Sequence, residues 1–313
     1  MFMKVLVAET CGFCNGVRNA IRIAEKILAQ DKNVYSLGPI IHNTDVVQRL
    51  AKAGLKTVDK VQEIESGTVI IRSHGAAPEQ IAMLREKGIN IIDATCVLVK
   101  RLQHIAEDLK KDNYKVVIIG DENHPEVKAV VGCAKDAAVI ADESDLHKLP
   151  NDAKLGIVCQ TTQSPQHFGK MLGAIGQSSF SELKVINTLC KEAIKRQESA
   201  VQLCRRVDIM FVLGGLESAN TRKLAELCTK VNTQTFHLQN WNELDKNILS
   251  DKNIAPTASI SPAAPSCDGR RRGKRSKTVG VTAGASTPQW IIDEFVKNME
   301  AFKPATNDKT LVK

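Results

Sequence analysis

At 313 residues, 43% of them hydrophobic, the chain is long enough for two or three domains, each with its own core. No apolar run approaches the roughly 20 residues of a membrane-spanning helix, and residues 1–8 lead straight into a strand pattern, so the sequence predicts no membrane segment, no signal peptide and a cytoplasmic location. The net charge of +8 suggests nucleic acid at first sight, but six positive charges fall within 270–277, so the excess belongs to one tract and not to the domains.

In chain order, residues 3–8 alternate apolar side chains and predict a strand, followed by the loop Thr10-Cys11-Gly12-Phe13-Cys14-Asn15-Gly16. A helix follows with Val17, Ala20, Ile21, Ala24, Ile27 and Leu28 on one face. A short strand at 35–37 ends in Gly38-Pro39-Ile40-Ile41-His42-Asn43, and the next helix carries Val46, Val47 and Leu50, with Gly54 as its stop. Strand 68–72 ends in Ser73-His74-Gly75-Ala76-Ala77-Pro78, and Pro78 suits the first turn of a helix bearing Ile81 and Leu84. Strand 89–93, counted as the fourth, delivers Cys96.

The same grammar then repeats. A helix with Val99, Leu102, Ile105 and Leu109 precedes strand 116–119, which ends in Gly120-Asp121-Glu122-Asn123-His124-Pro125-Glu126. Strands 138–141 and 155–159 follow, the latter ending in Gln160-Thr161-Thr162-Gln163, and strand 183–186 delivers Cys190. In the third round, strand 209–213 ends in Gly214-Gly215-Leu216-Glu217-Ser218-Ala219-Asn220, and strand 278–282 ends in Ala283-Gly284-Ala285-Ser286 before a last helix carrying Ile291, Ile292, Phe295 and Val296.

The spacings line up: His42 lies 28 residues after Cys14, His124 28 after Cys96, and Ser218 28 after Cys190. The prediction is an α/β protein of three pseudo-repeated units with parallel sheets, at 1–94, 95–188 and 189–313, whose polar loops gather at strand C-termini. The third unit contains an Ala/Ser/Pro-rich and then basic insertion at 251–277, which reads as a flexible loop.

Nine cysteines, an odd number, argue against a disulfide framework in a reducing compartment. Three of them, Cys14, Cys96 and Cys190, begin helices in the three units. Three thiolates are too few for a closed structural zinc site and suit a cubane iron–sulfur cluster with one open iron, while the plainer reading is three buried thiols. Cys11 has no partner C-x-x-C elsewhere and is read as incidental. The loops hold His42, His74, His124, Thr161, Ser218, Asn220 and Ser286, with no Arg or Lys among these, a set suited to phosphate or diphosphate at helix N-termini. No Walker loop or G-x-G-x-x-G follows a strand, so a nucleotide is not indicated. Glu126 is either a proton donor beside the anion or a carboxylate stabilised by a helix N-terminus.

The segments Gly12-Phe13-Cys14-Asn15-Gly16-Val17, Ile41-His42-Asn43, Ser73-His74-Gly75, Asp93-Ala94-Thr95-Cys96, His124-Pro125-Glu126-Val127, Gln160-Thr161-Thr162, Arg196-Gln197-Glu198 and Thr282-Ala283-Gly284-Ala285-Ser286 resemble the 4-hydroxy-3-methylbut-2-enyl diphosphate reductase (IspH/LytB) family, from the first strand to the last helix. The resemblance implies a trefoil of three α/β domains around one 4Fe-4S cluster per subunit, with Cys14, Cys96 and Cys190 as its three protein ligands. It implies His42, His74, His124, Ser218, Asn220 and Ser286 around the substrate diphosphate, Thr161 near the substrate hydroxyl, and Glu126 as proton donor, with His124 and Thr161 part of the catalytic set. The implied reaction is reductive dehydroxylation of the allylic diphosphate to isopentenyl and dimethylallyl diphosphate, the last step of the non-mevalonate isoprenoid pathway. Ferredoxin or flavodoxin is the implied electron donor, and no nucleic acid partner is expected. The chain departs from the family pattern at Val97, where Pro is usual, at Glu192-Ala193, where Ala-Thr is usual, at Ala219, where Ser is common, and in its insertion.

Two readings from other classes stand beside this one. The basic tract 270–277 could anchor a non-catalytic anion or RNA binder, although aromatics are only 4% of the chain and none interleaves with the tract. His124, His74 and the thiols could form a zinc hydrolase.

Overall fold

The computed structural model describes residues 3–249 and 277–302. The predicted insertion at 251–277 therefore lies, except for Lys277, outside the described residues, and so does most of the basic tract. Two compact units emerge, one of residues 13–195 and one of residues 1–12 joined to the chain from 196 onward.

Strand β1 (Lys4–Val7) leads through the Cys14 loop into helix α1 (Asn15–Leu28). Then come β2 (Val34–Leu37), α2 (Thr44–Lys52), β3 (Leu55–Val58), β4 (Thr68–Ile71), α3 (Pro78–Glu86) and β5 (Asn90–Asp93). The next round is α4 (Val97–Lys111), β6 (Lys115–Ile119), α5 (Pro125–Ala134), β7 (Ala138–Ile140), β8 (Ala153–Cys159), α6 (Pro165–Ile175) and β9 (Phe180–Val185). The last is α7 (Lys191–Cys204), β10 (Ile209–Leu213), α8 (Ala219–Thr229), β11 (Thr235–Leu238), β12 (Thr278–Ala283) and α9 (Gln289–Ala301).

Among the described residues these strands form three four-stranded sheets, ordered β3-β2-β4-β5, β7-β6-β8-β9 and β1-β12-β10-β11, with every pairing parallel. The three orders are one pattern. In each sheet the first strand lies between the second and third, and the fourth flanks the third. In the third sheet the fourth place is taken by β1, whose Lys4 to Val7 run beside Thr278 to Val281 of β12. The sequence grouped β1 with the first unit and did not predict β3, so it reached the right strand number there with one wrong member. β3 is short, Leu-Lys-Thr-Val, with Lys56 and Thr57 exposed at a sheet edge, and it gives no alternating signal.

The central strands are buried on both faces, as parallel sheets require. Ile70 packs with Ile21, Ala24 and Leu28 of α1, while Val69 and Ile71 pack with Leu84 of α3. Likewise Val116 and Ile118 face Leu102 and Val130, and Val117 and Ile119 face Phe168 and Met171. In the other unit Ile209, Phe211 and Leu213 face Ile292 and Phe295, and Met210 and Val212 face Leu203 and Leu224. The period-2 alternation of the strand thus sends successive residues into two separate cores. Helices start where the loops end because a cap side chain meets the first free N–H groups: Asn43 Oδ1 accepts from Val46 N at 3.1 Å, Ser164 Oγ from His167 N at 3.2 Å, and Ser218 Oγ from Thr221 N at 3.4 Å. None of the described helices is long and apolar enough to cross a membrane.

Phe295 is fully buried, with its ring centroid 5.2 Å from that of Phe211 and 5.4 Å from that of Trp241. Phe295→Ala is expected to cost about 3–5 kcal/mol, read as a lower melting temperature by calorimetry, with the spectroscopic helix and strand content kept.

Candidate functional site

Each sequence-identified cysteine directly precedes a helix. Cys14 caps α1, its Sγ accepting from Val17 N at 3.4 Å. Cys96 caps α4. Cys190 precedes α7, with its N–H donating to Thr161 O at 2.8 Å and its carbonyl accepting from Ile194 N at 3.0 Å. Each follows the fourth strand of a sheet, β1, β5 and β9 respectively. All three belong to the unit of residues 13–195.

They also converge there. A Cβ placed on Gly16 would stand 3.0 Å from Cys96 Sγ and 3.9 Å from Cys14 Sγ, so both sulfurs crowd the one bare Cα. The Cys96 thiol is pushed up from its ordinary pKa chiefly by burial; the N–H groups of Leu98 and Val99 pull it down, and nearby Cys190 and Glu126 push it up again. Three thiols and a carboxylate gathered in a half-buried place repel one another as anions, so a cationic group held among the sulfurs would relieve the clash. Cys133 and Cys159 of the same unit, and Cys11, Cys204 and Cys228 of the other, are free thiols. Burial and the nearby Glu107 carboxylate raise Cys133 to about 12, and burial likewise raises Cys159.

The three predicted histidines meet as well. Ring centroids are 5.0 Å apart for His42 and His74, 5.4 Å for His74 and His124, and 6.3 Å for His42 and His124. Their loops end three strands, β2, β4 and β6, of two sheets. The last turn of α5 abuts the start of α3 so closely that a Cβ on Gly132 would sit 2.7 Å from Ala77 Cβ. His74 Nδ1 is buried without a hydrogen-bond partner. Its pKa is held well below the usual imidazole value by burial first, then by His42, His124 and Arg72, so the ring is neutral at physiological pH. His124 Nδ1 accepts from Glu126 N at 3.2 Å, which places the proton of the neutral ring on Nε2.

Among the described residues the close-set group that could hold a single ion is His42, His74 and His124, and the cysteines are not part of it. The tautomer of His124 argues against a zinc hydrolase, because it presents an N–H where a metal needs a lone pair. Imidazole N–H groups at helix starts instead suit an anion.

Glu126, in the first turn of α5, is 2% exposed. Its Oε1 accepts from Thr161 N at 2.6 Å and its Oε2 from Thr161 Oγ1 at 2.8 Å. Burial raises its pKa above the usual carboxyl value, and the two bonds from Thr161 oppose the rise without cancelling it. The buried carboxyl therefore holds a proton at a higher pH than a surface glutamate.

The other unit carries the remaining predicted residues. Ser218 caps α8 and is 4% exposed, Asn220 lies in the first turn of α8, and the buried Ser286 lies in the loop between β12 and α9. Two departures from the expected pattern are placed too. Glu192 Oε2 accepts from Asn15 N at 3.4 Å, linking the start of α7 to the residue after Cys14. Val97 is 76% exposed directly after Cys96, so α4 starts without the ring that the family places there. Sequence reasoning missed Gly16 as the surface on which the sulfurs close. The Gly directly after Cys14-Asn15 was the available signal, but only the fold shows what touches it.

A family model for the LytB protein matches residues 5–300. The chain belongs to the LytB family. Its relatives include the 4-hydroxy-3-methylbut-2-enyl diphosphate reductases of Pelobacter propionicus, 40% identical over 94% of this chain and 96% of that one, and of Alkaliphilus oremlandii, 40% identical over 94% and 98%. Among solved structures, an (E)-4-hydroxy-3-methyl-but-2-enyl diphosphate reductase, described as the terminal enzyme of the non-mevalonate pathway, is 36% identical, with a TM-score of 0.65 over 96% of this chain and all of that one. The E-1-hydroxy-2-methyl-but-2-enyl-4-diphosphate reductase from Plasmodium falciparum is 25% identical, with a TM-score of 0.82 over 95% of this chain and 88% of that one. LytB family members use an iron–sulfur cluster.

The raised carboxyl of Glu126 has a consequence for stability. Below the pKa of an unfolded glutamate both states are protonated and nothing is lost; above it, the folded state bears the cost of a buried charge. Glu126→Gln is therefore expected to melt higher than the unaltered chain at neutral pH. The gain should shrink to nothing as the pH falls through the raised folded value to below the ordinary one, as measured by melting temperature against pH.

Proposed function

We propose that this chain catalyses the reductive dehydroxylation of 4-hydroxy-3-methylbut-2-enyl diphosphate to isopentenyl and dimethylallyl diphosphate. The observation that carries the reading is the pairing, within one compact unit, of three cysteines directly before helices with a cluster of three imidazoles and a buried, proton-retaining carboxyl. Cys14, Cys96 and Cys190 would hold a 4Fe-4S cluster through three thiolates, one cluster per subunit. The chain fits the group in two respects: the donors are thiols at helix N-termini, where thiolates are favoured, and the bare Gly16 leaves room beside two of them. When bound, the cluster supplies the two electrons and a Lewis-acidic iron.

The chain's own residues bind the substrate and move its proton. His42, His74 and His124 donate N–H groups to the diphosphate and fix its orientation. Ser218, Asn220 and Ser286, in the other unit, are proposed as diphosphate-binding residues on the family pattern and on their places at helix starts. Glu126 stores the proton. When Glu126 is protonated on Oε2, its bond with Thr161 Oγ1 reverses direction, which frees the Thr161 hydroxyl proton for a second acceptor such as the substrate oxygen. Thr161 is held for that exchange, since its own N–H is tied to Glu126 Oε1. A ferredoxin or flavodoxin would deliver the electrons, in the cytoplasm. The three four-stranded sheets are proposed as three copies of one unit, begun at Cys14, Cys96 and Cys190, with β1 completing the third copy in place of opening the first.

Cys14→Ser, Cys96→Ser and Cys190→Ser are each expected to abolish cluster retention after anaerobic purification, read as iron and sulfide per chain and by spin resonance. Gly16→Val should do the same by occupying the space beside two sulfurs. Full iron and sulfide in two of the three serine variants would falsify the ligand set. Glu126→Gln is expected to keep diphosphate affinity and lower turnover by about 10²-fold or more; near-normal turnover would remove its role as proton donor.

A further inference from the structure

The sequence placed no arginine or lysine among the anion-binding residues, yet one arginine stands among them in the fold. Arg72 directly follows β4 and opens the turn that carries His74, its carbonyl accepting from Gly75 N at 3.0 Å. Its side chain leads away to the neighbouring strand. A Cβ placed on Gly38 would lie 2.4 Å from one terminal nitrogen of the Arg72 guanidinium, 3.4 Å from the other and 2.9 Å from its central carbon. The cation is therefore laid against the bare Cα at the start of the loop that ends in His42. Gly38 has φ +73°, so both its backbone and the space above it require glycine.

The guanidinium is also poorly satisfied. Its Nε is buried without a partner, and no side-chain hydrogen bond or ion pair of Arg72 is found among the described residues. Burial lowers its pKa, and the more distant Asp59 is the charge that opposes the effect. A guanidinium in this state remains charged, and its five N–H donors favour a planar or phosphoryl oxyanion. A half-buried arginine lacking a carboxylate at bonding distance is costly unless something anionic shares its surroundings.

We propose that Arg72 is a positioning residue of the anion site, bracing the His42 loop against the His74 turn through its contact with Gly38 and supplying a fixed positive charge beside the three imidazoles. The inference rests on the diphosphate reading of the histidine cluster. It explains why a site for a highly charged ligand can keep His74 neutral: attraction comes from a cation that does not titrate, and the histidines contribute directed N–H groups. The titratable and charged groups facing His74 are His42 from the loop after β2, His124 from the start of α5, and Arg72 itself.

The test uses inorganic diphosphate and calorimetry on the full chain, purified anaerobically, across a pH series. Compared are the unaltered chain, Arg72→Lys, Arg72→Met and Gly38→Ala. Arg72→Met should weaken diphosphate binding by about ten-fold or more, the loss of one charge-assisted contribution. Gly38→Ala should weaken it too, by displacing the guanidinium while leaving the charge in place. Arg72→Lys should recover most of the affinity. The affinity gain on acidification, which reports imidazole protonation, should begin at higher pH in Arg72→Met, because the charge opposing that protonation is gone, and should stay in place in Arg72→Lys. The ligand's own titration is common to all four and cancels. A purely structural brace would leave the pH limb unmoved in every variant, and that result, or undiminished binding by Arg72→Met, overturns the proposal. Should Arg72→Met fail to fold, Arg72→Lys and Gly38→Ala decide it: Lys no better than Ala overturns the charge role. Failure of the unaltered chain to bind diphosphate at all would instead overturn the reading of the histidine cluster, and the inference with it.

Discussion

The free N–H groups at helix N-termini are the constraint on which this architecture depends. A parallel sheet places every strand end at the same edge, and the helix that follows each strand begins there with unpaired donors. Such an edge stabilises thiolates, phosphoryl oxygens and carboxylates alike. On the proposed function the chain uses it for all three. Fourth strands deliver Cys14, Cys96 and Cys190 to helix starts, first strands deliver His42 and His124, and third strands deliver His74 and Thr161. A residue's place in the repeated strand order thus decides whether it serves the sulfur group or the anion site.

Crowding anionic groups at one edge creates an electrostatic problem, and the local pKa shifts show how it is met. Cys96 is pushed up first by its burial and then by Cys190 and Glu126, and Glu126 is pushed up by its own burial, so neither readily bears a lone charge. The Glu126 carboxyl is held in place by two bonds from Thr161, which oppose the effect of burial without cancelling it. The His74 imidazole is kept neutral by its burial first and then by His42, His124 and Arg72. Burial both raises the acid and lowers the base, so the same dry surroundings leave the Glu126 carboxyl protonated to higher pH and the His74 ring uncharged.

Much of this was legible in the sequence, because the signals were local or strictly periodic. Apolar runs such as Val116-Val117-Ile118-Ile119, closed by glycine and polar residues, mark buried parallel strands whatever the rest of the chain does. The interval of 28 residues singled out Cys14, Cys96 and Cys190 among nine cysteines. What stayed hidden was non-local. Lys56 and Thr57 give β3 a polar, edge-strand character that resembles a loop. Arg72 adjoins the Ser-His-Gly motif, but only the fold shows its guanidinium on Gly38, 34 positions earlier. The pairing of β1 with β12 joins residues more than 270 positions apart, and no window of sequence contains both.

That pairing also explains an asymmetry in how the chemistry is distributed. The repeat begins at a cysteine-capped helix and ends at the strand before the next cysteine, so the third copy must borrow its last strand from the front of the chain. The sheet containing β1 is therefore discontinuous, and its closure carries a larger loop entropy than either of the others. The unit of residues 13–195 is continuous and holds all three candidate sulfur ligands, the three histidines, Glu126 and Thr161. Cys14 belongs to it because α1 packs on β2 and β4, and not because β1 leads to it. The ligand set is thus assembled by nearer contacts than the sheet that delivers its first member, so the centre does not depend on the slowest pairing in the molecule.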